Sequence, residues 1–133
     1  MNTRIWFPWQ AGPVTNPDGP VLVSVTDYTM DSLRSLPGIV RRGARLGLGW
    51  YGLPGAFGMR LWADPFRRRT GSLSVWTGSD AMYRWVGLPL HVETMRHYRT
   101  RGSLRSTTWH TEHLDRRAIL ATANDFLDDL RRS

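Results

Sequence analysis

The chain contains four histidines, the side chains best suited to exchange protons near neutral pH. On a helix, His91 would share one largely apolar face with Met95 and Tyr98, which follow it at i+4 and i+7. His97 would instead share a face with Glu93, as in a solvated ladder of charges. The pattern makes His91 the first candidate for acid–base chemistry, and a buried, hydrogen-bonded structural histidine is the alternative interpretation.

The spacing of the histidines argues against a metal site. His110 and His113 lie on a predicted strand, where side chains three residues apart point to opposite faces. His91 and His97 are six residues apart on a predicted helix and also diverge. No single element offers two ligands, so we expect no bound metal ion. His110 remains a second candidate for acid–base catalysis, because an imidazole there could carry out the same proton transfer.

Aromatic and arginine side chains indicate what such a histidine would act on. Trp62, Trp76 and Tyr98 could form the stacking walls of a mostly apolar pocket. Arg60 could stabilise a developing oxyanion or enolate. The residues predicted to contact a substrate are Trp62, Trp76, Tyr98, Met95 and Thr108. For the two tryptophans the alternative is ordinary packing at a subunit interface, and for Arg60 it is a position on the protein surface.

Alternation and helical spacing predict the elements that would position these side chains. Strands are predicted over 20–29, 57–64, 72–77 and 104–114. Helices are predicted over 31–48 with a break before Pro37, over 79–101 with a break at 87–89 and Ser79 as the N-cap, and from Asp115 onwards. The order contains the β-α-β-β-α-β unit of the ferredoxin-like fold. We therefore predict an α+β fold with a four-stranded antiparallel sheet and an extra C-terminal helix.

The same order predicts the domain organisation. Residues 1–19, rich in proline, are predicted to form an irregular arm, and residues 20–133 a single ferredoxin-like domain. With helices on one face only, such a sheet leaves its other face uncovered. The residues predicted to lie on that face are Trp62, Trp76, Arg60, His110 and Thr108. Apolar area in water costs roughly 25 cal/mol per Å², so we predict a homodimer in which two sheets pair face to face and enclose a cavity.

Composition limits the possible partners. All eighteen basic residues are arginines, and eleven acids leave a net charge of +7. The arginines are spread along the chain without a nucleic-acid-binding motif, so we do not expect a nucleic-acid partner. The absence of cysteine excludes disulfides and thiolate metal sites. No apolar run reaches the ~20 residues of a membrane span, and the N-terminus lacks the pattern of a signal peptide. A cytoplasmic protein is expected.

The middle of the chain resembles a known group of proteins. The segments that carry the resemblance are LPGAFGMRLWAD at 53–64, LSVW at 73–76, SDAMYRWV at 79–86 and LPLHVETMR at 88–96. Together they are similar to small monooxygenase-like proteins of the dimeric α/β-barrel superfamily, in particular the spheroidene monooxygenase and antibiotic-biosynthesis-monooxygenase groups. The matching positions are Ser74, Val75, Trp76, Asp80, Met82, Pro89, His91, Met95 and Arg96. The chain departs from the pattern at Leu90, which separates the proline from the histidine.

The resemblance implies a dimeric α/β barrel and leaves three functional hypotheses open, since this fold hosts many activities. The first is a monooxygenase-like enzyme that acts on an apolar cyclic or polyene molecule, without a cofactor, using a histidine as acid or base. The second is a haem-binding oxygenase with His91 as axial ligand. The third is a dimeric binding or accessory protein with an apolar cavity and no catalysis.

Overall fold

The computed structural model of the chain describes residues 3–15, 19–48 and 52–129. Six strands occur in these ranges: β1 (Ile5–Trp6), β2 (Gln10–Ala11), β3 (Val21–Met30), β4 (Ala56–Asp64), β5 (Arg69–Trp76) and β6 (Gly102–Thr111). The α-helices are α1 (Leu36–Leu48), α2 (Ser79–Val86), α3 (Pro89–Tyr98) and α4 (Arg116–Asp128). None of the helices in the described ranges is long and apolar enough to cross a membrane.

All strands join one antiparallel sheet. Its order is β1-β4-β5-β3-β6, and β2 pairs with β4 beside β1. The four long strands, β4-β5-β3-β6, have the order and directions of a ferredoxin-like sheet. The predicted α+β ferredoxin-like fold with an added C-terminal helix is therefore confirmed. The predicted arm is not wholly irregular, because β1 and β2 extend the sheet along β4.

Helix α1 differs from its prediction at the proline. The sequence predicted a helix that breaks before Pro37, whereas α1 begins at Leu36 and holds Pro37 in its first turn. A proline there costs no hydrogen bond, because the first amides of a helix have no partner within it. The preceding turn, Leu33–Ser35, is a short 3-10 helix capped by Ser32, whose hydroxyl accepts from the Arg34 amide at 3.2 Å.

The other helices start close to where the sequence indicated. Gly78 is the N-cap of α2, so Ser79 is its first residue instead of the predicted cap. Helix α3 begins at Pro89 as expected. Helix α4 is capped by Asp115, whose carboxylate accepts from the Ala118 amide at 3.1 Å. Helical spacing also predicts Leu130 on the apolar face of this last helix, and that residue lies outside the described ones.

The two faces of the sheet are both covered by the chain itself. Helices α1, α2 and α3 lie over one face, where Leu22, Met59, Trp76 and Trp85 form a buried cluster. Helix α4 and the N-terminal arm lie over the other face. The core there contains Val21, Val23, Val25, Phe57, Trp62, Leu73, Val75, Ile119, Ala123 and Leu127. The predicted uncovered face is therefore wrong, because the last helix crosses it.

Trp62 and Trp76 lie on opposite faces, contrary to prediction. Directly paired residues of neighbouring strands share a face, so Trp62 shares a face with Gly71, and Trp76 with Leu22. Gly71 and Trp76 are five residues apart on the same strand, β5, and therefore point to opposite faces. A bulge between Ala56 and Gly58 adds a further change of alternation at the start of β4. The alternation within each strand could be predicted from the sequence, whereas the register between strands could not. The alternation was therefore predicted correctly within β4 and within β5, but the wrong face of one strand was matched with the other.

Trp62 is fully buried by its own chain. Its indole nitrogen donates to the Thr26 carbonyl at 3.1 Å, and its ring lies 6.3 Å from that of Trp6 in the arm. The guanidinium of Arg4 lies 5.5 Å from the ring centroid, as a cation on an aromatic face. The neighbouring Gly71 is required here, because a Cβ at that position would collide with the Thr26 carbonyl. A second copy of the chain is not what covers this tryptophan.

An ion network fastens α4 to the same face. Asp27, which is 2% exposed, accepts from Arg69 Nη2 at 2.6 Å and from Arg105 Nε at 2.8 Å. Both arginines also donate to the last carbonyls of the helix, Arg69 to Leu127 at 2.6 Å and Arg105 to Phe126 at 3.0 Å. The network therefore satisfies carbonyls that a helix C-terminus leaves without partners.

Candidate functional site

A cavity of about 540 Å³ lies between the sheet and helices α1, α2 and α3. Its size is within the range of pockets that bind small molecules, roughly 300–1,000 Å³. It lies within one chain, whereas the sequence placed a cavity between two sheets of a dimer. The helices are held off the sheet here because the sheet residues beneath them are small.

The floor of the cavity is a grid of hydroxyl side chains on three neighbouring strands. Each row of the grid takes one residue from β5, one from β3 and one from β6, which pair directly across the sheet. The first row is Ser74, Ser24 and Thr108, and the second is Ser72, Thr26 and Ser106. Because paired residues share a face, all six side chains lie on the cavity side, and all six line the cavity.

The grid changes from buried to exposed across the sheet. Ser74 is 2% exposed and its hydroxyl accepts from the Trp76 indole nitrogen at 2.9 Å. Thr26 and Ser72 lie at intermediate depth, with their hydroxyl oxygens 2.8 Å apart. Ser106 and Thr108 are exposed on the edge strand β6. The cavity is therefore deepest over β5 and opens toward β6.

The roof of the cavity is apolar. Its side chains come from α1, α2 and α3 and include Ile39, Val40, Met82, Trp85, Val86 and Met95. Helix α1 approaches β4 closely at Gly43, where a Cβ would lie 3.0 Å from a methyl group of Leu61. Exposed apolar side chains form the rim of the opening: Val40, Val86, Met95 and Leu104. A ligand would thus meet hydroxyls on one side and hydrocarbon on the other.

His91 lies in the first turn of α3, just after the turn that joins α3 to α2. Its ring meets the ring of Trp85 edge to face, with the centroids 4.5 Å apart. The Nδ1 atom is buried and has no hydrogen-bond partner. Burial lowers the pKa of His91 below the ordinary 6.5, and a hydrogen bond with the Val86 backbone opposes the shift. The ring is therefore neutral at pH 7. In a neutral imidazole one nitrogen donates and the other accepts a hydrogen bond, so the ring keeps one lone pair that can take a proton.

Tyr28 and Tyr98 close the end of the cavity near the start of β6. Their rings are 6.1 Å apart, and the Tyr28 hydroxyl donates to the Tyr98 carbonyl at 2.6 Å. Burial, and then the nearby charge of Asp31, raise the pKa of Tyr28, so its phenol stays protonated. Gly38 leaves space for the Tyr98 hydroxyl, since a Cβ there would lie 2.6 Å from it. The two rings therefore form the wall at this end of the cavity.

The structure brings four of the predicted site residues together. His91, Met95, Tyr98 and Thr108 all line the cavity, three of them from α3 and one from β6. The helical spacing of the first three predicted this correctly. Their roles in binding or catalysis remain predictions.

The other predicted site residues lie elsewhere. Trp62 packs under α4 on the opposite face, and Trp76 is fully buried in the cluster beneath α2. Arg60 also lies on the α4 side, where its Nε donates to the Phe7 carbonyl at 2.9 Å. His110 pairs with Leu22 and is exposed beyond the cavity. Of the three predicted stacking walls only Tyr98 lines the cavity, and the predicted oxyanion residue Arg60 lies outside it.

Some cavity residues were missed. The hydroxyl grid could have been found, because Ser and Thr recur at alternate positions in three segments, as in SVT at 24–26, SLS at 72–74 and STT at 106–108. Arg99 also lines the cavity and is the one permanently charged side chain that does so among the described residues. No group of three or more His, Asp or Glu in the described ranges could hold a metal ion.

Comparisons with known proteins support the fold. No protein-family model matches the chain, and a search of curated proteins found no match. Solved structures do match. A variant of SnoaB, a cofactor-independent oxygenase from Streptomyces nogalater, is 17% identical with a TM-score of 0.55. The match covers 67% of this chain and 90% of SnoaB.

Two further matches come from Listeria monocytogenes. One is a ferredoxin-fold protein related to antibiotic biosynthesis monooxygenases, at 18% identity and a TM-score of 0.51, covering 70% of this chain and 56% of that protein. The other is the haem-degrading enzyme LmHde, at 17% identity and a TM-score of 0.53, covering 70% of this chain and 61% of the enzyme. At these identities the likeness shows the fold. The predicted resemblance to monooxygenase-like ferredoxin-fold proteins is thereby confirmed at that level.

Proposed function

We propose that the protein is a small oxygenase-like enzyme that acts on a cyclic molecule in the cavity, with His91 as the base. The observation that carries the proposal is the position of His91: it is the one histidine among the described residues that lines the cavity of about 540 Å³, and burial keeps its ring neutral. Its buried Nδ1 has no hydrogen-bond partner, and such an atom calls for an explanation. The similarity in fold to a cofactor-independent oxygenase supports the reaction class.

The proposed reaction begins with a proton transfer. In this step the neutral imidazole of His91 takes a proton from a weakly acidic C–H group of the bound molecule. The resulting carbanion or phenolate is rich in electrons and reacts with dioxygen. For a ring methylene the balance is R₂CH₂ + O₂ → R₂C=O + H₂O. The substrate carbon loses two hydrogens and gains one oxygen atom, and the second oxygen atom leaves as water.

The surroundings of His91 suit this step. The Trp85 ring meets the imidazole edge to face and fixes its orientation. The apolar roof, including Met82 and Val86, would hold the hydrocarbon part of a ring system. The buried end of the cavity limits the access of water to the anion that forms. These residues bind and orient the molecule, whereas the proton moves to the imidazole of His91.

Oxygen consumption with anthrone tests the proposal, because loss of one methylene proton from anthrone gives an aromatic phenolate. We expect kcat/KM to fall by about 10²-fold or more in His91→Gln, the scale of general-base catalysis. The matched control is His113→Gln, since His113 is exposed and lies outside the cavity. Equal rates in wild type and His91→Gln would contradict the proposal. Tight binding in both with turnover in neither would support the non-catalytic binding protein instead.

Haem binding is the second candidate, and the same nitrogen favours it. The described part of the cavity offers one imidazole nitrogen without a partner, His91 Nδ1, and one cation, Arg99, which could pair with a haem propionate. These residues fit such a group, which would supply oxygen activation when bound. Titration with haemin distinguishes the candidates. A Soret band that shifts on binding in wild type and is lost in His91→Gln would favour haem, and an unshifted band would exclude it.

A homodimer remains a prediction, although the reason first given for it does not hold. The chain buries Trp62 and Trp76 by itself, so neither residue requires a partner. What a second copy could still cover is the free edge of β6, a ten-residue strand that pairs with β3 on one side. Sedimentation at micromolar concentration tests this, and a particle of 15.3 kDa would contradict the dimer.

A further inference from the structure

We propose that the cavity selects an oxygenated aromatic acid: a ring system that carries hydroxyl or carbonyl groups for the sheet and a carboxylate for Arg99. The sequence predicted an apolar ligand, and a hydrocarbon fits the roof but not the floor. The proposal rests on the cavity being the ligand site proposed above. It concerns binding and does not depend on whether His91 catalyses a reaction.

The hydroxyl grid is the first argument. Among the described residues, the hydroxyls of Ser24, Ser106 and Thr108 make no hydrogen bond to another side chain or backbone group. In the empty cavity, water can satisfy them. A bound hydrocarbon would expel that water and leave them unpaired, which costs roughly 1–3 kcal/mol for each group that is buried. A ligand with its own hydroxyl or carbonyl groups avoids this cost.

The geometry of the grid favours a flat ligand. Neighbouring strands are roughly 4.8 Å apart, and side chains on one face of a strand repeat every second residue, or roughly 6.7 Å. The six hydroxyls therefore form an array of two rows, which follows the gentle twist of the sheet, opposite an apolar roof. A fused aromatic ring lying between them can place its edge substituents near the hydroxyls while one ring face packs against Trp85 and Met82.

Arg99 is the second, independent argument. It lies at the C-terminal end of α3 and lines the cavity, and no aspartate or glutamate lines the described part of the cavity with it. Arg99 makes no hydrogen bond or ion pair with another described residue. The helix end does not require it, because Arg101 Nη1 donates to the His97 carbonyl at 2.5 Å. An uncompensated guanidinium at the mouth of a pocket suits a carboxylate, which it can bind through two parallel hydrogen bonds.

Four naphthalene ligands separate the two arguments. They are naphthalene, 2-naphthol, 2-naphthoate and 6-hydroxy-2-naphthoate, which carry, in that order, neither group, a hydroxyl, a carboxylate, and both. Binding is measured by fluorescence titration with wild type. We expect 6-hydroxy-2-naphthoate to bind most tightly and naphthalene most weakly. Equal affinity for all four ligands would overturn the proposal.

Variants assign each preference to its residues. Arg99→Gln should weaken the two carboxylates about tenfold and leave 2-naphthol unchanged, since a charge-assisted bond is lost. The double variant Ser24→Ala, Thr108→Val should weaken the two hydroxylated ligands about fivefold and leave 2-naphthoate unchanged. Arg117→Gln is the matched control, because Arg117 is an exposed arginine on α4, across the sheet. The proposal is overturned if Arg99→Gln and Arg117→Gln have the same effect.

These ligands have no acidic ring methylene, so they report binding without turnover. If they bind as expected while His91→Gln consumes oxygen with anthrone as fast as wild type, the proposed reaction fails and the ligand class stands. If His91→Gln loses activity while naphthalene binds as well as 6-hydroxy-2-naphthoate, the ligand class fails and the proposed reaction stands.

Discussion

The two faces of this sheet are built from the same strands but differ in packing: one carries a packed core and the other a cavity. On the α4 face, valine, leucine and tryptophan side chains form a closely packed core, and the buried carboxylate of Asp27 is paired with two arginines. On the α1–α3 face, the same strands present serine and threonine, and a cavity of about 540 Å³ remains beneath the helices. Strand β3 shows the contrast in consecutive residues: Val23 and Val25 face α4, whereas Ser24 and Thr26 face the cavity.

The contrast separates stability from function. The filled face supplies the core that holds the fold, with its charges neutralised by partners in fixed positions. The hollow face gives up buried area, and it leaves His91 Nδ1 and several hydroxyls without protein partners. Unsatisfied groups of this kind are costly in a core. They are useful where a ligand is to be bound. The stability supplied by the packed α4 face offsets the free energy that they cost.

The largest effect is expected from breaking the ion network of the filled face. Asp27→Ala would leave Arg69 and Arg105 without their shared carboxylate, and the Arg69 side chain is 5% exposed. We expect the free energy of unfolding in urea to fall by about 3–5 kcal/mol, as for other buried ion pairs that lose one partner. Asp125→Ala, at an exposed position on α4, is the control. A loss below about 1 kcal/mol would mean that the network does not hold this face.

A pair of substitutions compares the faces directly. Ala123→Leu adds volume under α4, where Ala123 is fully buried, and should cost about 1–3 kcal/mol of stability through overpacking. Ser24→Leu adds similar volume beneath the cavity and should change stability by less than about 0.5 kcal/mol, because the side chain has space to enter. It should instead abolish binding of 6-hydroxy-2-naphthoate. Equal destabilisation by both changes, measured in urea, would show that the cavity is not open in solution.

The sequence predicted well what depends on one segment. The alternation in β3 and β5, the proline start of α3 and the beginning of the last helix near Asp115 were all found from local patterns. The spacing of His91, Met95 and Tyr98 also placed them correctly on one face, because helical geometry follows from spacing alone. This is why the α3 wall of the cavity was predicted.

What the sequence did not predict depends on register between segments. Trp62 and Trp76 were assigned to one face because no local signal tells how β4 is aligned with β5, or that a bulge lies at Ala56. Arg69 likewise stands in a run of three arginines that suggests a solvated turn, yet it is buried against Asp27, 42 residues earlier in the chain. The hydroxyl grid has the same origin, since its rows exist only once three strands are paired.

The smallest effect is expected from titrating His91, which makes the free energy of unfolding depend on pH through a residue of the cavity face. The folded pKa is lowered by burial, whereas the unfolded chain keeps the ordinary value of 6.5. Well above pH 6.5 neither state holds the proton, and His91 contributes nothing to the pH dependence. As the pH falls below 6.5, the unfolded state is protonated first, so stability decreases until the folded pKa is passed and is then constant.

Urea unfolding between about pH 8 and pH 5 measures this slope. The part of it that His91→Gln removes belongs to His91, and it should grow as the pH falls through 6.5. The rate of anthrone oxidation should fall only at the acid end of this window, as the pH passes the lowered pKa of the folded protein, because protonation then occupies the nitrogen that must accept the proton. A slope unchanged by His91→Gln would indicate that the imidazole is as well solvated in the folded protein as in the unfolded chain. The α1–α3 face would then admit more water than the burial of Nδ1 implies, and His91 would be less suited to act as a base.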